Sequence, residues 1–345
     1  MAQIIQSPFE VSIGNSADAM ASNTKSSAGL KEVLPLVPAG EFYETYHGHR
    51  VTHLESVQAK LREAGAEGFI YLAGDSSLDN KHWFFESHMQ KCDQLFSTSD
   101  FVGEAVNGYE KVLKPANMVK DVCYWVNKEC AERNAQGVAP KLCALNTAVE
   151  ESCIVQRELN GLLPQDAYIR DNITESDVLV VDVGGNDVAL SPTKGVMINI
   201  AWLLYLTPKC FIQCGPLLAP GLIYFIHMFR VRLRRYIEKL IAIRKPKKIV
   251  ICMLYFLDES PDGGWADGVL AMLGYDKNPS KLQAVMRKVY SWGVSQIRIP
   301  GVEVVSLPLY EVLDGKDTAD YVQRVEPSVT GGQKMAAAIA ERIFS

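Results

Sequence analysis

The chain has 345 residues, of which 48% are apolar and 22% are charged, a composition typical of a globular protein with a buried core. Its formal net charge of −5 provides no basic surface for a phosphate backbone, so nucleic acid is excluded as an expected partner. Eight cysteines without dense spacing, and a start without a basic segment before an apolar core, predict reduced thiols and an intracellular, cytoplasmic protein.

The first part of the chain carries no recognisable chemistry. Residues 1–40 are rich in Ser, Ala and Asn and lack a hydrophobic period, which predicts a flexible or loosely packed leader before a single domain at 41–345. That domain opens with His47, His49 and His53, and a His-x-His pair is able to bind a metal ion. No carboxylate or thiol cluster stands near the pair in the sequence. We therefore expect no metal site here, and no other motif requires a cofactor.

The first predicted strand starts at Gly68 and ends at Gly74, where Asp75 and Ser76 open a polar segment. Parallel strands deliver residues to their carboxyl ends, which is where open α/β sheets bind ligands. The alternative is that Asp75 and Ser76 only cap the helix predicted from Leu78 to about Gln94. A second strand that delivers polar residues to the same edge would favour a site.

The apolar run at 178–183 breaks at glycines in the same way. Together, Gly-Asp-Ser-Ser-Leu at 74–78 and Gly-Gly-Asn-Asp at 184–187 resemble the first and third blocks of the SGNH (GDSL) hydrolases, in the right order. The resemblance implies a nucleophile at Ser76 and an oxyanion donor at Asn186, with a further donor from the Ser76 amide. The neighbouring residues of these two blocks are Asp75, Gly185 and Asp187.

Two other blocks of the resembled family are altered in this chain. The second block ends in a glycine whose amide helps to hold the oxyanion; here that position falls on Glu151, or on Glu150 if the alignment shifts by one residue. The last block, Asp-x-x-His-Pro-Ser, corresponds to residues 323–328, with Gln323 in place of the aspartate and Glu326 in place of the histidine. The pair that activates the serine is therefore missing, and Glu326 becomes the candidate base.

Five strand candidates separated by helical stretches predict a three-layer α/β/α sandwich with a doubly wound parallel sheet covered on both faces. The resemblance implies the same fold. The strands are predicted to start near Gly68, Lys141, Val178, Lys248 and Val302. The helices are predicted from Leu54, from Met118 to Arg133, from Lys281 to Trp292, and after Gly331.

Within the hydrophobic insertion at about 196–229, the piece from Cys210 to Phe229 has about the length of a membrane span and is followed by basic residues at 230–235. Prolines, glycines and polar residues interrupt it, and a strand of the same sheet must follow at 248–254, so a span would split the sheet across a bilayer. The alternatives are a lid or rim that contacts a membrane surface, and buried helices that form a hydrophobic substrate wall. Within it, Cys210 and Cys214 have a weak metal spacing and are expected to be core thiols.

Three classes of function fit these observations. The first is a hydrolase or acyltransferase that acts through Ser76 on an ester of an apolar or lipid-like molecule. The second is an enzyme that uses Glu151 and Glu326 as acid and base on a glycosidic or other bond. The third is a binding protein that keeps the fold without turnover.

Overall fold

The central sheet is formed by the five predicted apolar runs. The computed structural model describes residues 35–84 and 100–345. The strands are β1 (Gly68–Gly74), β2 (Leu142–Asn146), β3 (Val178–Asp182), β4 (Lys248–Met253) and β5 (Glu303–Pro308). All pairs are parallel, and the order across the sheet is β2-β1-β3-β4-β5. The predicted α/β sandwich with a doubly wound, five-stranded parallel sheet is therefore confirmed.

This strand order determines where a ligand would bind. The chain winds from β1 outward to β2 and then returns to β3 on the other side of β1, so the order reverses between β1 and β3. In doubly wound sheets, ligands bind in the crevice outside the carboxyl ends of the strands at such a reversal. Gly74, the last residue of β1, pairs with Asp182, the last residue of β3. The segments that follow these two residues are the ones that carry Ser76 and Asn186.

Helices cover both faces of the sheet. The α-helices within the described residues are α1 (Ala39–Tyr43), α2 (Val51–Glu63), α3 (Val122–Ala135), α4 (Ile154–Leu159), α5 (Pro164–Asn172), α6 (Gly185–Ala189), α7 (Lys194–Ala201), α8 (Lys209–Cys214), α9 (Gly221–His227), α10 (Leu233–Leu240), α11 (Ala266–Met272), α12 (Pro279–Trp292) and α13 (Val329–Phe344). Short antiparallel ladders join Val102–Glu104 to Asn117–Val119 and Tyr321–Val322 to Glu326–Pro327. The helix predicted from Met118 starts at Val122, because Asp121 caps it by accepting a hydrogen bond of 2.8 Å from the Tyr124 amide.

The side chains of β1 alternate between two separate cores. Phe69 and Tyr71 belong to the larger core, which also contains residues of α2, α5, α9, α10 and α12. Ile70 and Leu72 belong to the smaller core, which contains residues of α3 and α13. Burying one large apolar side chain stabilises the fold by roughly 1.5–3 kcal/mol. The alternation along β1 therefore anchors both helical layers to the strand that precedes Ser76.

The predicted leader and the helix predicted after Ser76 are described only in part. Residues 1–34 lie outside the described residues, whereas Val37 and Ala39, at the end of the predicted leader, are buried in the domain. The predicted division into leader and domain stays a prediction. Of the helix predicted from Leu78 to Gln94, residues 80–84 form a short 3-10 helix, and residues 85–99 lie outside the described residues.

The hydrophobic insertion at 196–229 folds as several short helices. Within residues 35–84 and 100–345, no helix combines the length and the apolar composition needed to cross a bilayer. Cys210 and Cys214 are exposed, so the expectation that they are core thiols is wrong. The described residues contain no group of histidines, cysteines and carboxylates arranged to hold a metal ion.

The close approach of β1 to β3 predicts that Gly74 tolerates no side chain. A Cβ atom at Gly74 would lie 2.0 Å from the Asp182 carbonyl oxygen. This oxygen belongs to the backbone and cannot rotate away from the added atom. We expect Gly74→Ala to lower the free energy of unfolding by about 1–3 kcal/mol or more, measured by urea denaturation.

The matched control is Gly268→Ala in α11. A Cβ atom there meets no atom within 4 Å, and alanine is favoured over glycine in helices by roughly 1 kcal/mol. We expect this variant to be as stable as the wild type or more stable. Equal stability of the Gly74→Ala protein and the wild type would contradict the close approach.

Candidate active site

Ser76 lies at the point where the chain leaves β1, and buried polar groups hold this point. Oδ1 of Asp75 accepts hydrogen bonds from the Ser77 amide at 3.2 Å and the Ser77 hydroxyl at 3.0 Å, and Oδ2 accepts one from the Gly184 amide at 3.1 Å. Asp75 therefore joins the segment after β1 to the segment after β3. The carbonyl of Gly74 accepts a hydrogen bond of 3.0 Å from the buried Arg157 guanidinium. Both contacts limit the movement of Ser76.

Ser76 and Glu326 are in direct contact, although they are far apart in the sequence. The Ser76 hydroxyl donates a hydrogen bond of 2.9 Å to Oε1 of Glu326, and each residue is only 6% exposed. Within the part of the chain that the structure describes, Oε2 of Glu326 is buried without a hydrogen-bond partner. The residue that replaces the histidine of the resembled family thus contacts the predicted nucleophile.

Two hydrogen bonds position the strand that carries Glu326. The Tyr255 hydroxyl donates to the Val325 carbonyl at 2.6 Å, and the Asn80 side-chain amide donates to the Pro327 carbonyl at 2.9 Å. These contacts hold the backbone immediately before and after Glu326. Asn80 belongs to the segment that follows Ser76, so it couples the position of the acceptor to that of the donor.

The turn before Glu326 is held from its other side. Gln323 and Arg324 adopt left-handed backbone conformations, with φ of 51° and 68°. The buried Arg324 guanidinium forms ion pairs with Asp267 at 2.6 Å and Asp276 at 2.8 Å. Gln323 accepts a hydrogen bond of 3.3 Å from the Trp265 amide. Gln323 thus holds the backbone at Trp265 and, within the described residues, makes no hydrogen bond to Glu326.

Burial makes Glu326 a stronger base than an ordinary glutamate. Removal from water raises the pKa of Glu326, the hydrogen bond from Ser76 lowers it, and the charges of Asp75 and Asp79 raise it further; the net pKa is above the usual range. The pKa of Glu150 is also raised, first by burial and then by the charge of Glu326. The two carboxyls therefore titrate as a coupled pair, and a proton on one favours ionisation of the other.

The coupled partner of Glu326 is Glu150, so the expected pairing with Glu151 is wrong. Glu151 is exposed, and its carboxylate accepts a hydrogen bond of 3.4 Å from Tyr46. Glu150 is 2% exposed and accepts a hydrogen bond of 3.2 Å from the Trp83 indole. The adjacent carboxylates thus have different surroundings, and Glu151 has a left-handed backbone conformation, with φ of 62°. A shift of one residue in the alignment would have selected Glu150.

A buried ion pair lies close to Glu150 and Glu326. Asp79 and Lys81 form a salt bridge with both side chains fully buried. Oδ2 of Asp79 also accepts hydrogen bonds from the Gly48 amide at 3.0 Å and the Glu150 amide at 3.2 Å. The charge of Lys81 lowers the pKa of Glu150, whereas Asp79 raises it. This pair was not predicted from the sequence. The position of Lys81 two residues after Asp79, in the segment that follows Ser76, could have indicated it.

The predicted residues after β3 divide into two groups. Asn186 lines the same cavity as Ser76, and its side-chain amide donates a long hydrogen bond of 3.3 Å to the Ser152 carbonyl. Gly185 also lines this cavity. Asp187 is 1% exposed and accepts hydrogen bonds from the first amides of α4, at 2.8 Å and 3.0 Å. Asp187 therefore stabilises a helix terminus and does not face the cavity.

A large apolar cavity opens beside Ser76. It contains about 1050 Å³ of space, counted to its open mouth. Its polar end is formed by Asp75, Ser76, Ser77, Gly185, Asn186 and Glu326. Its walls include Ile200, Phe225, Phe229, Leu270, Leu282, Val285, Met286 and Val289. Three of these wall residues, Ile200, Phe225 and Phe229, come from the hydrophobic insertion, as expected for a hydrophobic wall.

No described histidine lines this cavity. His227 is exposed, and His82 forms a hydrogen bond of 2.9 Å with the Thr45 carbonyl. His49 is buried against Phe42, 4.0 Å between ring centroids. The hydrogen bond that the Ser76 hydroxyl donates therefore goes to a carboxylate, and the described histidines do not supply a displaced base.

Among the comparisons with known proteins, only the one with solved structures found proteins similar to this chain. No protein-family model matches the sequence, and no curated protein matches it. A carbohydrate esterase family 3 from Talaromyces cellulolyticus is 11% identical over 80% of this chain and 95% of that chain, with a TM-score of 0.40. A putative GDSL-like lipase from Parabacteroides merdae is 13% identical over 80% and 94%, with a TM-score of 0.41. An extracellular lipase from Streptomyces rimosus is 11% identical over 81% and 99%, with a TM-score of 0.41. At this identity the similarity concerns the fold alone.

The raised pKa of Glu150 predicts that Glu150→Gln stabilises the protein at high pH. In the folded state this carboxyl keeps its proton at pH values where the unfolded chain has lost it, so wild-type stability falls as pH rises from about 4.3 to the raised folded pKa. The glutamine variant lacks this loss. Between about pH 5 and about pH 9, we expect its stability relative to wild type to increase by up to about 1.4 kcal/mol per pH unit.

Urea denaturation at several pH values measures this difference. Glu151→Gln is the matched control, because Glu151 is the adjacent residue and its side chain is exposed. This control should keep the pH dependence of the wild type. A Glu150→Gln protein with an unchanged pH dependence would show that Glu150 is not the buried coupled carboxyl.

Proposed function

We propose that this protein is an ester hydrolase in which Ser76 is the nucleophile, Glu326 is the general base, and the substrate carries an apolar acyl chain. The observation that carries the proposal is the 2.9 Å hydrogen bond from the Ser76 hydroxyl to Glu326 at the polar end of an apolar cavity. A nucleophile hydrogen-bonded to a base is the arrangement that covalent catalysis requires. The cavity joins a mostly apolar wall to a few convergent polar groups, as small-molecule sites do.

The reaction follows from this contact. Ser76 Oγ attacks the ester carbonyl while its proton moves to Glu326, and a tetrahedral oxyanion forms. The carbon–oxygen bond to the alcohol breaks, and the leaving alkoxide takes the proton from Glu326. A water molecule then attacks the acyl-enzyme and gives its proton to Glu326. The bond between the acyl carbon and Ser76 Oγ breaks, Oγ takes that proton back from Glu326, and the acid leaves. If an alcohol attacked the acyl-enzyme in place of water, the protein would act as an acyltransferase.

Two donors are available for the oxyanion. The amide of Ser76 has no hydrogen-bond partner among the described residues. The side-chain amide of Asn186 lies in the same cavity, and its bond of 3.3 Å to Ser152 is near the long end of the hydrogen-bond range. One such donor contributes about 2.7–4 kcal/mol to transition-state stabilisation in a serine protease. Asn186 therefore has the position and chemistry of an oxyanion donor.

The surroundings of Glu326 suit a base near neutral pH. An ordinary glutamate, with a pKa of about 4.3, accepts a proton from serine poorly, and general base catalysis is most efficient when the pKa is near the working pH. Burial and the charges of Asp75 and Asp79 raise the pKa of Glu326 in that direction. The substitution of histidine by glutamate is thus partly offset by the environment.

The alternative that uses two carboxylates for acid and base catalysis loses support. Its second carboxylate would be Glu150, because Glu151 is exposed and does not line the cavity. Glu150 is 2% exposed, is bonded to Trp83, and is absent from the residues that line the cavity. A substrate in the cavity would therefore reach Glu326 without reaching Glu150.

A fluorophosphonate probe should label Ser76. This reagent reacts with activated serine hydroxyls, so labelling of the wild type and none of Ser76→Ala is the expected result, read by mass spectrometry. The matched control is Ser77→Ala, because Ser77 also lines the cavity but donates its hydroxyl to Asp75. Labelling should persist in this control. No labelling of wild type, or labelling that survives in Ser76→Ala, would contradict Ser76 as the nucleophile and favour the carboxylate-based enzyme or the binding protein.

Glu326→Gln should abolish most ester hydrolysis. We expect kcat/KM on a medium-chain p-nitrophenyl ester to fall by roughly 10²–10⁴-fold, the usual contribution of a general base. Since the raised pKa keeps Glu326 protonated at lower pH, the wild-type rate should rise with pH through a midpoint above about 4.3, and the variant should lack this rise.

Glu151→Gln is the control for this experiment as well, and it should keep both the rate and the pH profile. Equal rates in Glu326→Gln and wild type would show that Glu326 is no base. A higher rate in Glu326→His would show that the histidine position is retained and that the wild type is adapted to a substrate other than a simple ester.

A further inference from the structure

The hydrophobic insertion exposes many large apolar side chains. Leu217 is 95% exposed, Leu206 68% and Ile198 66%. Others in the same segment are Met197, Trp202, Tyr205, Phe211, Leu218 and Ile223. Scattered apolar residues are normal on a protein surface, but a concentration of them within one helical segment marks an interaction site. We call residues 197–223 the apolar segment.

The apolar segment also lies in a region of one charge sign. Between residues 188 and 237 the sequence contains no Asp or Glu, although the whole chain has 40 of them. The basic residues in this stretch are Lys194, Lys209, Arg230, Arg232, Arg234 and Arg235. Three of them pair with Glu158 or Glu238; among described residues, Lys194, Lys209 and Arg230 form no ion pair. The free charge at both ends of the apolar segment is therefore positive.

The opposite side of these helices forms the cavity wall. On α7, Ile198 is exposed while Ile200 lines the cavity. On α9, Ile223 is exposed while Phe225 lines the cavity. The exposed apolar surface and the apolar cavity are thus separated by the thickness of one helix.

We propose that the apolar segment rests on the surface of an anionic lipid bilayer. Apolar and aromatic side chains with flanking lysines and arginines are the features of helices that lie in the membrane interface. Basic residues near an anionic leaflet are attracted to its negative surface potential. A second copy of this chain is a poorer partner, because a symmetric contact through the same surface would bring the positive charges together. The proposal does not depend on Ser76 being a nucleophile.

Vesicle sedimentation of the full chain tests the proposal. We expect binding to phosphatidylcholine vesicles that contain phosphatidylserine, weaker binding to pure phosphatidylcholine, and a loss of binding as salt concentration rises. Leu217→Asp/Leu218→Asp should weaken binding at least tenfold without changing the circular dichroism spectrum, since both side chains are exposed. The matched control is Leu159→Asp, an exposed leucine outside the segment, which should bind as the wild type does.

A second pair of variants tests the charges. Lys194→Glu/Lys209→Glu should weaken binding to the anionic vesicles, whereas Lys111→Glu/Lys114→Glu, at exposed lysines outside the region, should not. Equal binding to neutral and anionic vesicles, or no binding to either, would overturn the proposal. A dimer in sedimentation velocity that depends on Leu217 and Leu218, without vesicle binding, would assign the surface to a second copy instead.

Discussion

The structure of the site depends on one contact, the hydrogen bond between Ser76 and Glu326. These two residues are 250 positions apart in the sequence. The reversal of strand order between β1 and β3 creates the crevice, and Asp75 joins the two segments that border it. A hairpin held by Tyr255 and Asn80 then carries Glu326 into this crevice. The backbone contacts are numerous because a buried carboxylate must be held where it has a donor.

Burying the carboxyls around this contact lowers the stability of the fold, and the surrounding groups offset this loss only in part. Asp75, Asp79, Glu150 and Glu326 are all buried near one another, and burial raises the pKa of each. Two buried cations offset these charges in part: Lys81 pairs with Asp79, and Arg157 lowers the pKa of Asp75. Proximity of like charges favours protonation of some members, which keeps the net charge of the cluster low. The same physical effect that destabilises the ionised cluster makes Glu326 more basic, so stability and base strength are linked at this site.

The hydrophobic insertion shows how one segment acquires two surfaces. Its residues at helical spacing divide between the cavity wall, represented by Ile200 and Phe225, and solvent, represented by Ile198 and Ile223. A segment that only filled the core would present polar residues outward. The apolar residues on both sides explain why the sequence alone resembled a membrane span, while the breaks at its prolines and glycines produce short helices instead.

The sequence by itself determined the sheet and two of its strand ends, because a parallel strand buried on both faces is a continuous apolar run and Gly74 and Gly184 interrupt such runs. Motif order also predicted that Ser76, Asn186 and Glu326 lie together, and all three line one cavity. Only the tertiary structure distinguished Glu150 from Glu151, because the groups that bury Glu150 and bond its carboxylate, such as the Trp83 indole, come from other segments of the chain. It alone assigned Asp187 to a helix terminus and Gln323 to the Trp265 loop, since hydrogen bonds between segments distant in sequence leave no local pattern.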